Sequence, residues 1–502
     1  MTNYDKYELT QKDFSSSNLI AKSKTKVTED DSEINVRGTL LTIKIDNRTT
    51  SKSINLKECQ AEKLTINECE FEKDVTISNC EFNETLEFKG CTFKNLIFEN
   101  CNFAGSFKIS EETTAKEITL KDCTFSNTVY FLQTKIDDTI KIKNSTFKSG
   151  LIISSNCSVE LNHCDGDISI EMVADETNDH RLTINSQRNA NIFIAKAYAH
   201  GDETLPSIDT IWISNIHDLK SLAIDRFIIS RLIVQNSVIN CSFLLKNINV
   251  NELDFYYLTN KAGEEMILNG ISPLGNKSKF QLRHSSLGSA QIRNCKLSDF
   301  SEFKFIESEI DRVLSRNTEW PFKVETQAPQ NEDQDQDKDN STRGLEAYYR
   351  ACKDIYEKSG ERARSLEFKS RHTELQYKST EWNWPNFPYK LAILISSLSS
   401  DHGTNWIKAL LWLLLSTSVS TVLIIIASIF LTGTNGIECF CTQFGTFNLS
   451  SIFFQLLLPT HKFDALVGVE AHFLTYAIDM LTRVANGYLI FQIIKSSRSY
   501  SQ

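Results

Sequence analysis

A cysteine followed two residues later by phenylalanine recurs at Cys69, Cys80, Cys91 and Cys101, at intervals of ten or eleven residues. An α-helix repeats every 3.6 residues, and zinc sites use close Cys pairs, so neither explains this interval. Cut into fives, the stretch reads CTFKN, LIFEN, CNFAG, and upstream CEFEK, VTISN, CEFNE, LEFKG. Each block has a small or medium apolar residue, any residue, a large apolar residue and a polar pair. The block centres are Phe71, Ile77, Phe82, Phe88, Phe93, Phe98 and Phe103. Two-residue alternation sends both apolar members of a block to one side of a short strand, and the polar pair turns a corner. Four blocks then close one coil of about 20 residues, and coils stack in parallel about 4.8 Å apart. Phe71, Phe82, Phe93 and Phe103 would stack in the lumen. Cys69, Cys80, Cys91 and Cys101 would fill its corners as small buried hydrophobes.

These blocks resemble the pentapeptide-repeat family, whose fold is a right-handed quadrilateral β-helix. The sequence differs from the family pattern by single inserted residues at Asp74, Thr85 and Ser106, read as looser corners, and by Cys where Ala is usual. The pattern is strong from Cys59 to Phe147 and returns as QNSVI at Gln235, KNINV at Lys246 and RNCKL at Arg293. A mainly β solenoid is therefore predicted over 34–322, with irregular insertions near 171–210 and 258–278 and caps at 34–56 and Trp320-Pro321. Roughly thirteen coils would make a rod on the order of 60 Å. Metal binding is the rival explanation of the Cys residues. The only compact cluster, His163–Asp165, lacks a partner pair, so packing is the better reading and neither metal nor cofactor is expected.

Residues 1–33 read as a polar tail without the apolar core of a secretory signal. Thirteen Cys without such a signal suggest reduced thiols rather than a disulfide framework. The acidic run within 323–343 reads as a disordered linker. Helical spacing then predicts a hairpin over 344–380, whose second helix is rich in Arg and Lys. In the juxtamembrane segment 381–405, WNWPNFPY places aromatic rings suited to the headgroup zone, and its two prolines argue against a regular helix there.

A membrane domain is expected at 406–496, following the hairpin. No charge occurs between Ala409 and Ile437, which predicts a transmembrane helix over 406–432. A second span is expected at 473–495, with a short apolar segment at 444–460 that is re-entrant or interfacial. Lys390, Lys408, Lys495 and Arg498 flank the two spans, which puts the solenoid and the C-terminus on the cytoplasmic side of an inner membrane. Cys439 and Cys441 would face the opposite side. Asp479, Arg483 and Asn486 share one helix face, with Gly487 beside them, and mark a pore lining or an oligomer interface. The order of span, apolar loop and span resembles two-span ion channels, without a TVGYG-type filter. The whole arrangement resembles bacterial membrane proteins that carry pentapeptide repeats before a channel-like region.

The net charge of -10 argues against a nucleic-acid partner held through phosphates. No catalytic motif is present, which makes a β-helix enzyme the weakest class, and mixed charge on the solenoid speaks against DNA mimicry. The expected function is non-enzymatic: a partner-binding cytoplasmic solenoid coupled to a homo-oligomeric, ion-conducting membrane domain, for instance in cell defence. The plain alternative is a membrane-anchored scaffold.

Overall fold

The structure is a computed structural model that describes residues 7–8, 19–21, 26–110, 112–132, 134–154, 157–172, 180–185, 187, 189–196, 205–217, 219–261, 265–326, 334–431, 449–460 and 473–501. Two compact units divide at Tyr348 and Tyr349. The first is a parallel β-solenoid across residues 33–316 with about 12 turns, one fewer than the repeat count suggests.

One coil shows the logic. Strand segments at Leu86–Lys89, 92–93, 96–99 and Asn102–Phe103 form four sides. Each pairs with the coil above and below: Phe88 sits between Ile66 and Ile109, and Phe103 between Phe82 and Phe125. The inward residues Leu86, Phe88, Phe93, Leu96, Phe98 and Phe103 are buried, because alternation leaves them no other side. Stacking at the strand spacing sets the ring geometry. Phe71 and Phe93 lie 4.8 Å apart with planes 2° from parallel, and Phe103 stacks on Phe125 at 4.6 Å. Rings on adjacent sides meet edge to face, as Phe88 does with Phe93.

The corners are tighter than the inserted residues suggest. Asp74, Thr85 and Ser106 keep the ladder: their carbonyls accept the N–H groups of Ile54, Leu64 and Leu86. Thr85 and Ser106 also join through their hydroxyls at 3.2 Å, and Asn95 donates to Asp74 at 2.9 Å. The insertions therefore lengthen the coil uniformly, so that rung partners stand 21 or 22 residues apart, as in Phe82 with Phe103 and Thr92 with Thr114.

Cysteine also does more than fill space. The residue before it takes a left-handed conformation, as at Asn79, Asn100 and Asp122, which Asn and Asp tolerate better than most. The Cys80 Sγ then lies 3.2 Å from the Ser78 carbonyl and accepts the Cys59 N–H at 3.4 Å from the previous coil. Where Cys is replaced, another polar side chain holds the same post. Thr113 accepts the Cys91 N–H, Ser145 that of Cys123, Gln187 that of Cys164 and Thr318 that of Cys295. A corner amide turned away from the strand ladder is thereby satisfied. Burial pushes the Cys164 thiol up to about 12 and the Cys295 thiol up to about 11. In the column, thiol–thiol hydrogen bonding and then burial raise Cys59, Cys69 and Cys101 as well.

The ends are covered. Before the first coil, Lys26–Glu29 and Leu19–Ala21 pair antiparallel with the strand Glu33–Asp46. At the other end, Tyr348 packs on Phe303, Phe305 and Trp320 and donates to the Pro321 carbonyl at 2.8 Å. Tyr348 belongs to helix α1, Gln334–Ser359. This helix begins inside the segment expected to be a disordered linker, and residues 327–333 lie outside the described residues. The expected insertions occur where coils lengthen: Ile184 pairs with Ile213, and Phe255 with Leu282.

The second unit, from Tyr349, is helical: the remainder of α1 is followed by α2 (Arg362–Ser379), α3 (Phe387–Ser400), α4 (Trp406–Leu431), α5 (Leu449–Leu457) and α6 (Phe473–Ser501). Gly360, at φ +82°, turns α1 into α2, and Phe368 of α2 stacks on Tyr356 of α1. The expectation that the prolines of WNWPNFPY exclude a helix fails at Pro388. It occupies the first turn of α3, where the missing N–H has no intrahelical partner to lose.

Two outcomes are expected of the solenoid. Phe103→Ala, which empties a stacked rung, lowers stability to urea by about 3–5 kcal/mol, whereas Glu99→Ala on the outer face stays within about 0.5 kcal/mol. A thiol reagent applied at pH 8 leaves Cys101 and Cys164 unmodified in the native protein and modifies both in denaturant; rapid native labelling would contradict the dry lumen.

Candidate functional site

The residues singled out by the repeat do not form a reactive site. Cys69, Phe71, Cys80, Phe82, Cys91, Phe93, Cys101 and Phe103 are all buried in the lumen. The described cysteines are free thiols, each buried. Thiols buried away from water make poor nucleophiles, whatever their residue type promises. His163–Asp165 splits across a corner: His163 is exposed in the left-handed turn, and Cys164 points into the lumen. Among the described residues no group of His, Cys, Asp and Glu could hold a metal ion. Cys439 and Cys441 lie outside the described residues.

A second group of buried polar side chains lies in the helical unit, on α6. Asp479 and Arg483, one turn apart, form an ion pair of 2.7 Å within the helix. Asp479 is buried and Arg483 half-buried. Asn486, fully buried, is held by two other helices: it accepts from Ser416 at 2.6 Å and donates to Thr417 at 3.1 Å and to the Leu456 carbonyl at 2.8 Å. That carbonyl belongs to the last turn of α5, where no intrahelical N–H remains to bond it. One turn back, Thr482 donates to Ser420 at 2.8 Å. Towards the far end, Ser400 of α3 donates to Gln492 at 3.1 Å. The partners on α4 come from the run STSVST (416–421), in which hydroxyls recur inside an apolar helix. The sequence reading singled out Asn486 and missed this run, which faces it.

Outside this seam the polarity reverses. Leu411 and Val422 of α4 are 62% and 54% exposed, and Leu481 and Val484 of α6 are 71% and 66% exposed. The helix pair is thus polar within and apolar without. An added Cβ at Gly487 would meet no atom within 4 Å, so this glycine is not where the chain's own helices touch.

Among the described residues one helix is long and apolar enough to cross a membrane, Trp406–Ala427, with a mean hydropathy of 2.3. Only 28% of its apolar window is buried, unlike the core helix of a water-soluble domain. The expected second span, 473–495, falls within α6 but is not in that class, because Asp479, Arg483 and Asn486 lower its hydropathy. The short helix α5 has nine residues, too few to span; residues 444–448 lie outside the described residues.

Residues 66–108 match the family model described as pentapeptide repeats, in nine copies. No curated protein and no solved structure matches the chain. The matched segment covers the coils with the most regular Phe and Cys rungs, and the same ladder continues through the later turns. The first unit of this chain is a pentapeptide-repeat β-solenoid.

Proposed function

We propose that the protein is a non-enzymatic, membrane-anchored scaffold that presents a pentapeptide-repeat solenoid to protein partners. The observation that carries this reading is the reversed polarity of the α4–α6 pair. In water, burying hydroxyls and an amide while exposing Leu and Val is the less stable arrangement; in lipid it is the favoured one. The helix α4 crosses the bilayer, and α6 returns beside it, its polar groups turned to Ser416, Thr417 and Ser420. Lys390, Lys408, Lys495 and Arg498, which flank the two helices, support an orientation with the solenoid on the cytoplasmic side.

A scaffold is favoured over a pore by the way the stripe is used. Asp479 pairs with Arg483 and Asn486 bonds to α4 and α5, so the groups that would meet an ion already have partners within one chain. Solenoids offer long binding surfaces without a reaction centre, which fits a role in recognition.

The full chain is expected to stay in the membrane pellet after alkaline carbonate washing, and the variant carrying both Val422→Lys and Ile426→Lys to move to the supernatant. Wild-type protein released by the wash would end the anchor reading. Asn486→Leu, which leaves the Leu456 carbonyl unpaired, is expected to lower stability in detergent by about 1–2 kcal/mol. Reconstituted liposomes are expected to pass no ions; a flux abolished by Asp479→Ala would replace the scaffold with a pore.

A further inference from the structure

One outward ladder of the solenoid changes character along its length. Its first rungs are Lys44, Thr65, Glu87 and Lys108, the polar surface expected of a sheet face in water. From Tyr130 onward the same ladder becomes mostly apolar. It ends at Leu314, and both Leu314 and Phe193 are exposed, at 54% and 47%.

The order of rungs in this stretch is self-complementary. Turned end for end about the midpoint between Ala223 and Leu244, Ala223 falls opposite Leu244, and Phe193 opposite Ile267. The polar rung Ser169 falls opposite the polar rung Gln291, and Ile152 opposite Leu314. The neighbouring outward ladder obeys the same rule in charge. Asp225 falls opposite Lys246, and Glu171 opposite Arg293. A second copy has the same coil pitch, about 4.8 Å, so every rung of one face meets a rung of the other without drift. An isologous interface needs this property: residue i meets residue j, and j meets i.

We propose that this face joins two copies of the chain, antiparallel, about a two-fold axis that runs along the strands between the Ala223 and Leu244 rungs. The apolar ladder forms the dry centre, and the Glu171–Arg293 and Asp225–Lys246 pairs set direction and register at its edge. Parallel pairing, about an axis along the apolar ladder, would instead set Glu171 against Asp167. The inference is independent of the membrane reading, because it uses the solenoid alone.

Cross-linking the purified full chain in detergent tests it. Facing sheets pack about 10 Å apart, so a bis-maleimide of that span reaches from residue 169 of one copy to 291 of the other. In the antiparallel pair the two copies of residue 169 are about five rungs, or 24 Å, apart. The variant with Ser169→Cys and Gln291→Cys is expected to give a covalent dimer, and Ser169→Cys alone none. Phe193→Glu, at an exposed site that leaves the melting temperature unchanged, is expected to give a monomer in sedimentation. Glu171→Arg is expected to weaken association about tenfold or more, and adding Arg293→Glu to restore it. A dimer linked by Ser169→Cys alone, one indifferent to Phe193→Glu and the charge exchange, or a wild-type chain monomeric throughout would each overturn the proposal. Loss of phosphatidylcholine-vesicle binding in Phe193→Glu, without any 169–291 cross-link, would assign the face to lipid instead and equally overturn it.

Discussion

The solenoid depends on a hydrogen bond made at its corners by side chains that also have to fit inside. A strand satisfies its backbone through the coils above and below. At a corner the chain turns through a left-handed residue, and the next amide needs a separate acceptor. Cys80 supplies one to Cys59, Thr113 to Cys91 and Ser145 to Cys123. The acceptor must tolerate burial and must also find a carbonyl for its own hydrogen, which Cys, Ser and Thr manage, and Gln187 as well. Once corners are fixed at one pitch, the rings within have no choice of spacing. Phe71, Phe93 and their successors then stack at the distance that the backbone dictates.

The two units solve opposite problems with the same rule. In the solenoid, polar backbone is satisfied between coils and apolar side chains are dry inside. In the helical unit, each helix satisfies its own backbone, and the interior can hold Ser416, Thr417, Thr482 and Asn486 while apolar residues face outward. One solution suits water and the other lipid, and both occur in one chain whose mean hydropathy of -0.27 reflects neither.

The sequence carried the solenoid because its repeat is strict where side chains are large: a Phe at six of the seven block centres from Phe71 to Phe103 admits few other folds. The corner chemistry was also written there, as Asn before Cys at 79–80, 100–101 and 294–295 and before Ser at 144–145 and 236–237. Hydrophobicity alone treats Cys as a small apolar residue, so it reveals the packing and not this hydrogen bond. The outward apolar ladder was hidden for a different reason. Its members stand 17 to 30 residues apart in the sequence, as Ile152–Ser169 and Phe193–Ala223 do, and become neighbours only when the coil lengths are known. The α4–α6 seam lay between these extremes: Asn486 was conspicuous in an apolar stretch, whereas its partners were ordinary Ser and Thr about seventy residues away.

If each coil is a separate unit held to its neighbours by corner and strand ladders, an entire coil can be removed without harm while part of one cannot. Deleting residues 92–113 joins Cys91 to Thr114, the residue that stands one rung above Thr92. Thermal unfolding of the full chain with that deletion, compared with a deletion of 92–111, is the most direct test. The account expects the first to melt cooperatively near the parent and the second to lose its cooperative transition. Equal tolerance of both, or failure of both, would contradict it.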